Sequence, residues 1–380
     1  MKRYRDIIRN YVILFPSIMM ILYCQGCSGP GNRSFIISCN EENDLYRVLK
    51  ENKINCEKYN TPLEAVSKAT EGAGVLILAD GYPDKTTLIN SSLIKEAGRK
   101  KLRLYIEYPS WLPGLQTGQP ESTVLERVVV TTGSIENLPA MQILSIHGCN
   151  YVPVSADDPL LSVSKVAGFD KAVYGLNKDS QAILFNDPSG NLLISTTKLS
   201  QFVTARYSPK ESMQAIWSYI LKWVSGSENE IKTIVWKSTV RPSFEPGQEL
   251  PEDAARIAVQ RGIDWHTNAK MVLNEGGWQE YKKLWNLNDS NMHTTVPAVN
   301  NAAPGPYSDA GDGTFGVLEG ITSEVRLDGS QPTRWWLRSD SNGESSLAFA
   351  LRSMMDGDQG SRLIAGNLLD WLYFKMGVGI

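Results

Sequence analysis

The chain has 380 residues, 42% of them hydrophobic, enough for two or three domains of about 150 residues with sizeable cores. Its formal net charge of −3 excludes the basic face that nucleic-acid binding requires. Ten tryptophans and fifteen tyrosines supply ring faces suited to stacking on sugars, although most aromatic rings serve cores.

Lys2, Arg3, Arg5 and Arg9 form a positive start, and the apolar run Tyr11 to Tyr23 is short for a bilayer span. "YCQGCSG" follows, with Gly26 directly before Cys27. This resembles a bacterial lipoprotein signal, which implies cleavage after residue 26 and a lipid on Cys27. Cys24 stands where that signal carries an aliphatic residue, so Cys24 is the alternative lipidation site and an uncleaved signal anchor the alternative reading. On each reading the bulk of the chain lies outside the inner membrane. The implied location is the cell envelope, on the periplasmic side or the outer surface of a Gram-negative outer membrane. Beyond residue 26 only Cys39, Cys56 and Cys149 remain, an odd number that cannot form a full disulfide framework. One Cys39–Cys56 bridge is conceivable, but all three read as buried thiols.

From residue 34 to about 107 the chain alternates strand and helix. "SFIIS" (Ser34–Ser38) reads as a buried strand, and Leu45, Val48 and Leu49 have helical spacing. "INCEKY" is a second strand, followed by a helix opened by Thr61 and Pro62, where proline suits the first turn. "GVLILAD" is a continuous apolar run, as a central parallel strand requires. A helix over 88–100 leads to "LRLYIEY". Four strands separated by helices predict a doubly wound parallel sheet. After Pro109 the texture becomes β-rich, with "ERVVVTT", "MQILSIHG", "QAILFND" and "NLLISTT". Asp187-Pro188-Ser189-Gly190 predicts a hairpin turn between the last two. A helix then carries Met213, Ile216, Trp217, Ile220, Leu221 and Val224 on one side.

Residues 33–226, through "GVLILADGYPD" and "LRLYIEYPS", resemble the class I glutamine-amidotransferase-like domain that accompanies secreted sugar-processing proteins. A working amidotransferase sets a nucleophilic cysteine on a strained turn after a strand. Here the turn after "LRLYIEY" carries Pro109, Ser110 and Trp111. Cys149 beside His147 is the one Cys/His proximity of the domain and lacks both the elbow and an acid partner. The resemblance therefore implies the fold without the chemistry.

Residues 227–250 read as a linker, and from Pro251 to residue 380 the texture is helical. Pro251, Glu252 and Asp253 suit a helix start, although Ala255, Ala258, Ile263 and Trp265 track a helical face only loosely. "GWQEYKKLWNL" predicts a second helix; a long Asn/Pro/Gly segment, a hairpin and helices over 340–355 and 360–374 follow. "RGIDWHTNAKMV", "GDGTFGVLEGITSEVRLDGSQPTRWWLRSDSNGESSLAFAL" and "GNLLDWLYF" resemble the (α/α)-toroid, six-hairpin glycosidases of secreted polysaccharide-degrading systems. The resemblance implies that loops and hairpins at the helix starts form a sugar cleft, with acidic residues doing the chemistry. A full toroid needs twelve helices, and this segment supplies about four. The expectation is therefore a truncated or split chain, packing onto the first domain, or a protein partner that completes the helical region.

Strand alternation over "FGVLEGITSEV" sets Glu319 on one face with Phe315, Val317 and Ile321. A carboxyl desolvated in that way is held protonated and suits a general acid; an edge-exposed strand would leave it merely solvated. "LDGS" predicts the turn, with Gly329 free to take positive φ. On the return strand Arg334, Trp336 and Arg338 face one way, and Trp335 and Leu337 the other, so one tryptophan is core and the other a sugar platform. The arginines can bind a uronate carboxylate bidentately or pair with Asp328 or Asp340 on the surface. The next helix is expected to bury Leu347, Leu351, Met354 and Met355, with Glu344 and Asp340 at its N-terminal mouth. Ser341-x-x-Glu344 also fits a capping box. The helix dipole lowers a carboxylate pKa there, so Asp340 suits the base or nucleophile role. Glu319 as acid and Asp340 as base make the pair that glycoside hydrolysis needs, and Asp312 in "GDGT" competes for either role. His266 and His293 lack metal-ligand spacing, and no cofactor is expected. The reading is a glycoside-hydrolase-like lipoprotein acting on a glycan. The alternative is a non-catalytic accessory or carbohydrate-binding lipoprotein that docks through the amidotransferase-like domain.

Overall fold

A computed structural model describes residues 34–376, apart from 147, 205, 227–232, 240–241, 246, 285–295, 300–309, 322–324, 326–330 and 335–336. The signal region with Cys27, and Trp335, Trp336, His147 and Asp328, therefore lie outside the described residues. No helix of the described residues is long and apolar enough to cross a membrane.

The first part runs β1 (Phe35–Ser38), α1 (Asp44–Glu51), β2 (Cys56–Tyr59), α2 (Pro62–Lys68), β3 (Gly74–Ile77), α3 (Ser91–Arg99) and β4 (Arg103–Glu107). It continues through β5 (Glu121–Ser122), β6 (Arg127–Val130), β7 (Ile143–Ile146), β8 (Asn150–Tyr151), β9 (Leu161–Ser164), β10 (Gln181–Asn186), β11 (Leu192–Ser195), β12 (Tyr207–Ser208) and α4 (Lys210–Ser225). Ten of these strands form one sheet, in the order β12-β7-β6-β9-β10-β11-β4-β3-β1-β2. The five from β11 to β2 pair in parallel, and the others pair antiparallel. The four expected parallel strands are present, and the β-rich segments extend the same sheet.

Alternation builds both cores of this sheet. Phe35, Ile37, Leu76 and Tyr105 face α1 and α4, whereas Ile36, Val75, Ile77, Leu104 and Ile106 face α2 and α3. Helices thus cover both faces. Asn43 caps α1 by accepting from the Leu45 and Tyr46 N–H groups, and Thr61 caps α2 with Pro62 in its first turn. All six apolar residues expected on α4 are buried. The Asp187 turn forms as expected: its carboxylate accepts from Ser189 and Leu192, and Gly190 takes φ 74°. Of the three thiols expected to be buried, Cys39 and Cys149 are, whereas Cys56 is only half-buried.

The later part comprises α5 (Ala254–Asn268), α6 (Glu275–Leu284), β13 (Val296–Val299), β14 (Gly320–Ile321), β15 (Gln331–Arg334), α7 (Ser339–Asp356) and α8 (Gln359–Asp370), with a π-helical turn over Trp371–Lys375. The expected hairpin appears as β14 paired antiparallel with β15, Gly320 opposite Arg334. Two expectations fail here. Leu347, Leu351, Met354 and Met355 are exposed, and α7 instead buries Asn342, Ser346 and Phe349. Small polar side chains let the helices approach: Ser346 Oγ donates to the Ala365 carbonyl of α8 at 2.8 Å. The capping box does not start the helix either, because α7 begins at Ser339 behind Arg338, leaving Ser341 and Glu344 inside it.

This inversion yields a contrast. Phe349→Ala is expected to lower stability by about 3–5 kcal/mol through loss of a buried ring, read as a urea-midpoint shift. Leu351→Ala, at 46% exposure, should change it by less than about 0.5 kcal/mol. Equal losses would restore the original stripe.

Candidate functional site

The loop leading into β14 is built by close approaches. Asp312 Oδ1 accepts from the Thr314 N–H at 3.1 Å and from its hydroxyl at 2.7 Å, closing an Asx turn. Asn367 holds the Asp312 carbonyl at 2.8 Å. Gly316 takes φ 86°, and a Cβ there would lie 2.6 Å from Trp371 Nε1, so glycine is required. The chain then runs beside residues 271–273: Leu273 N–H donates to the Gly316 carbonyl and Leu318 N–H to that of Met271, both at 2.9 Å. Val317 and Leu318 are both buried, so both sides of this stretch are covered.

Asn342 joins this loop to the start of α7. It is fully buried; its Oδ1 accepts from the Val317 N–H at 3.0 Å and its Nδ2 donates to the Arg338 carbonyl at 2.8 Å. That bracket sets Glu319 beside Arg338 and Asp340. The sequence signal for it was an asparagine one helical turn after Arg338, overlooked because it is uncharged.

Glu319 Oε1 accepts from Arg334 Nη1 at 2.9 Å and from Arg338 Nη1 at 3.4 Å. The Glu319 side chain is only 13% exposed, and its buried Oε2 has no hydrogen-bond partner among the described residues. Its desolvation was expected; its two cationic neighbours replace the apolar setting that was expected with it. Arg338 also grips Asp340 in a fork, Nε to Oδ1 at 3.1 Å and Nη2 to Oδ2 at 2.6 Å. The Ser341 N–H adds a bond to Oδ1 at 2.8 Å. Those donors, the Ser341 amide first, hold the Asp340 carboxyl below its usual range. One guanidinium thus spans both carboxylates, so they stand no farther apart than the roughly 9.5 Å upper limit for paired glycosidase carboxyls. Arg338 and Asp340 are each about half exposed, which marks the site's solvent side. Glu344 lies exposed on α7, and Asp312 is engaged in its own turn.

A second polar cluster sits at the carboxyl ends of the parallel strands, where open α/β sheets hold ligands. Glu107 there is fully buried. Its Oε1 accepts from Tyr105 Oη at 3.0 Å and the Ser200 N–H at 2.7 Å. Its Oε2 accepts from Ser200 Oγ at 2.7 Å and the Ala79 N–H at 3.2 Å, and Asn43 braces Ser200 Oγ at 2.9 Å. Burial pushes Glu107 above the ordinary carboxylate range, opposed by the Ser200 hydroxyl and Lys198. With both oxygens engaged, this side chain fastens three chain segments together. Neither buried thiol is a ready nucleophile: burial pushes Cys39 up to about 12 and raises Cys149. The sequence reading missed Glu107, which looks like one polar letter at the end of "LRLYIEY". No protein-family model matches this chain, and no curated protein is significantly similar to it.

Proposed function

We propose that this chain is a lipid-anchored cell-envelope protein of the glycoside-hydrolase type, with Glu319 as general acid and Asp340 as base or nucleophile. The observation that supports this reading is that one guanidinium, that of Arg338, joins Glu319 and Asp340 and so brings the two carboxyl groups to one place at the start of α7. Glu319 would hand a proton to the glycosidic oxygen as the bond to the anomeric carbon breaks. Asp340, held low in pKa, would stay ionised to receive the water proton or attack that carbon. Water is consumed, and each sugar fragment leaves with a hydroxyl. Arg334 and Arg338 position the carboxyl groups; one of Trp335 and Trp336, between them in sequence, is proposed as the sugar platform. Cys27 is the proposed lipid site. Residues 251–380 are proposed as part of an (α/α) toroid, and residues 33–226 as an amidotransferase-like accessory domain. Parallel strands covered on both faces, and Tyr108 at φ 47° directly after β4, support the second of these.

The test is incubation of the full chain with a panel of acidic and neutral polysaccharides, scored for new reducing ends, and release from at least one is expected. Arg338→Gln supplies a pH test. Without the fork, the Asp340 pKa rises toward its ordinary value, so the acid limb of the rate profile should move to higher pH. An unmoved limb would remove Asp340 from the base role.

The second reading, a non-catalytic carbohydrate-binding lipoprotein, is favoured by one feature: the Arg338 fork occupies both oxygens of Asp340. It predicts glycan retention without reducing ends, unaffected by Glu319→Gln.

A further inference from the structure

A groove of about 610 Å³ lies at the outer margin of the large sheet, remote in sequence from Glu319 and Asp340. That volume is in the range of small-molecule sites. It opens because two short segments cover the free edge of β7 incompletely. Ser208 pairs with Ser145, and the Asp170 carbonyl accepts from the Ile143 N–H at 2.8 Å. Between these patches lie Ile143 and Ser145, with Pro139 and Pro209 beside them and Arg127, Phe169 and Lys171 lining the groove as well.

Three features indicate what fits. Phe169 is completely exposed, as are most of Tyr174 and Val173 on the same loop. That loop is anchored: Ala172 N–H donates to the Met141 carbonyl at 2.8 Å, and Ala172 is buried against Val129 and Ile143. A Cβ on Gly168 would lie 1.9 Å from the Lys171 carbonyl oxygen, so the turn presenting the ring is set by a glycine. The Phe169 ring is therefore held out on a fixed support. Secondly, the lining carries two cations, Arg127 and Lys171, against one acid, Asp170, in a chain whose net charge is −3. Arg127 Nη1 is tied to the carbonyls of Glu126 at 3.0 Å and Leu125 at 3.4 Å, which orients its guanidinium. Thirdly, Gln142, Ser145 and Ser208 add neutral hydrogen-bonding groups.

We propose that this groove binds an acidic sugar, with the pyranose face on Phe169 and the uronate carboxylate between Arg127 and Lys171. A stacking ring, two cations and hydroxyl-seeking side chains suit an anionic saccharide better than an acidic peptide, which would not need the presented ring. The site stands apart from the proposed hydrolytic pair and does not depend on it.

The test is affinity electrophoresis of the full chain in gels containing polygalacturonate, neutral starch or poly-glutamate. Retardation is expected in polygalacturonate alone, weakened at least tenfold by Phe169→Ala and by Lys171→Ala and unchanged by Glu319→Gln. Both substituted side chains are exposed, and unchanged thermal unfolding would show that the variants fold. Equal retardation by poly-glutamate would make the site a mere cationic patch. Retardation by starch, or insensitivity to Phe169→Ala, would also overturn the proposal. Loss on Glu319→Gln would place the binding at the other site.

Discussion

Glu107→Ala should destabilise the chain by roughly 4–8 kcal/mol, since it strands up to four buried donors at about 1–3 kcal/mol each. The donors are the Tyr105 and Ser200 hydroxyls and the Ala79 and Ser200 amides. They belong to three segments that this carboxylate ties together, so the loss should appear as a large shift in urea midpoint. A cavity left in a satisfied apolar site would give a smaller one. The pH dependence has a definite sign. Burial raises the Glu107 pKa in the folded state above the 4.5 of the free side chain, so the fold binds the proton more tightly than the unfolded chain. Its contribution is complete below the unfolded value and is lost as pH rises through the raised folded value. Glu107→Gln should flatten that part of the stability curve. A variant with wild-type pH dependence would contradict the raised value.

Glu319→Gln is expected to slow sugar release by roughly 10²–10⁴-fold, the usual contribution of a positioned general acid. The amide preserves shape and can still bond Arg334 through its oxygen, but it has no acidic proton to give. Because Gln keeps the fold, the loss should fall on kcat with little change in KM. Asp340→Asn should cost a similar factor, and the double variant little more than either single one, as for groups that act together. Full additivity would indicate two unrelated surface charges.

How much of this was readable from the letters differs by element. The central strands were legible because a sheet buried on both faces needs continuous Ile, Val and Leu, as in "GVLILAD". The α4 stripe was legible for the corresponding helical reason. β9 was not: "LSVS" is half serine, and its burial depends on pairing with β6 and β10, which no local pattern encodes. The face of α7 was misread because its larger apolar residues point outward, while Asn342 and Ser346 take the inner positions through hydrogen bonds to Val317 and Ala365. At the candidate site the charged letters were visible in sequence. Their joining by a single guanidinium was not, since it depends on Asn342 bridging two distant segments.

The central claim is tested most directly by one comparison: the rate at which wild-type protein and Glu319→Gln generate reducing ends from a polysaccharide that both bind equally. The account predicts steady release by the wild type and a rate at least 100-fold lower for the variant. Undiminished release by the variant, or none from the wild type on any bound glycan, would contradict it.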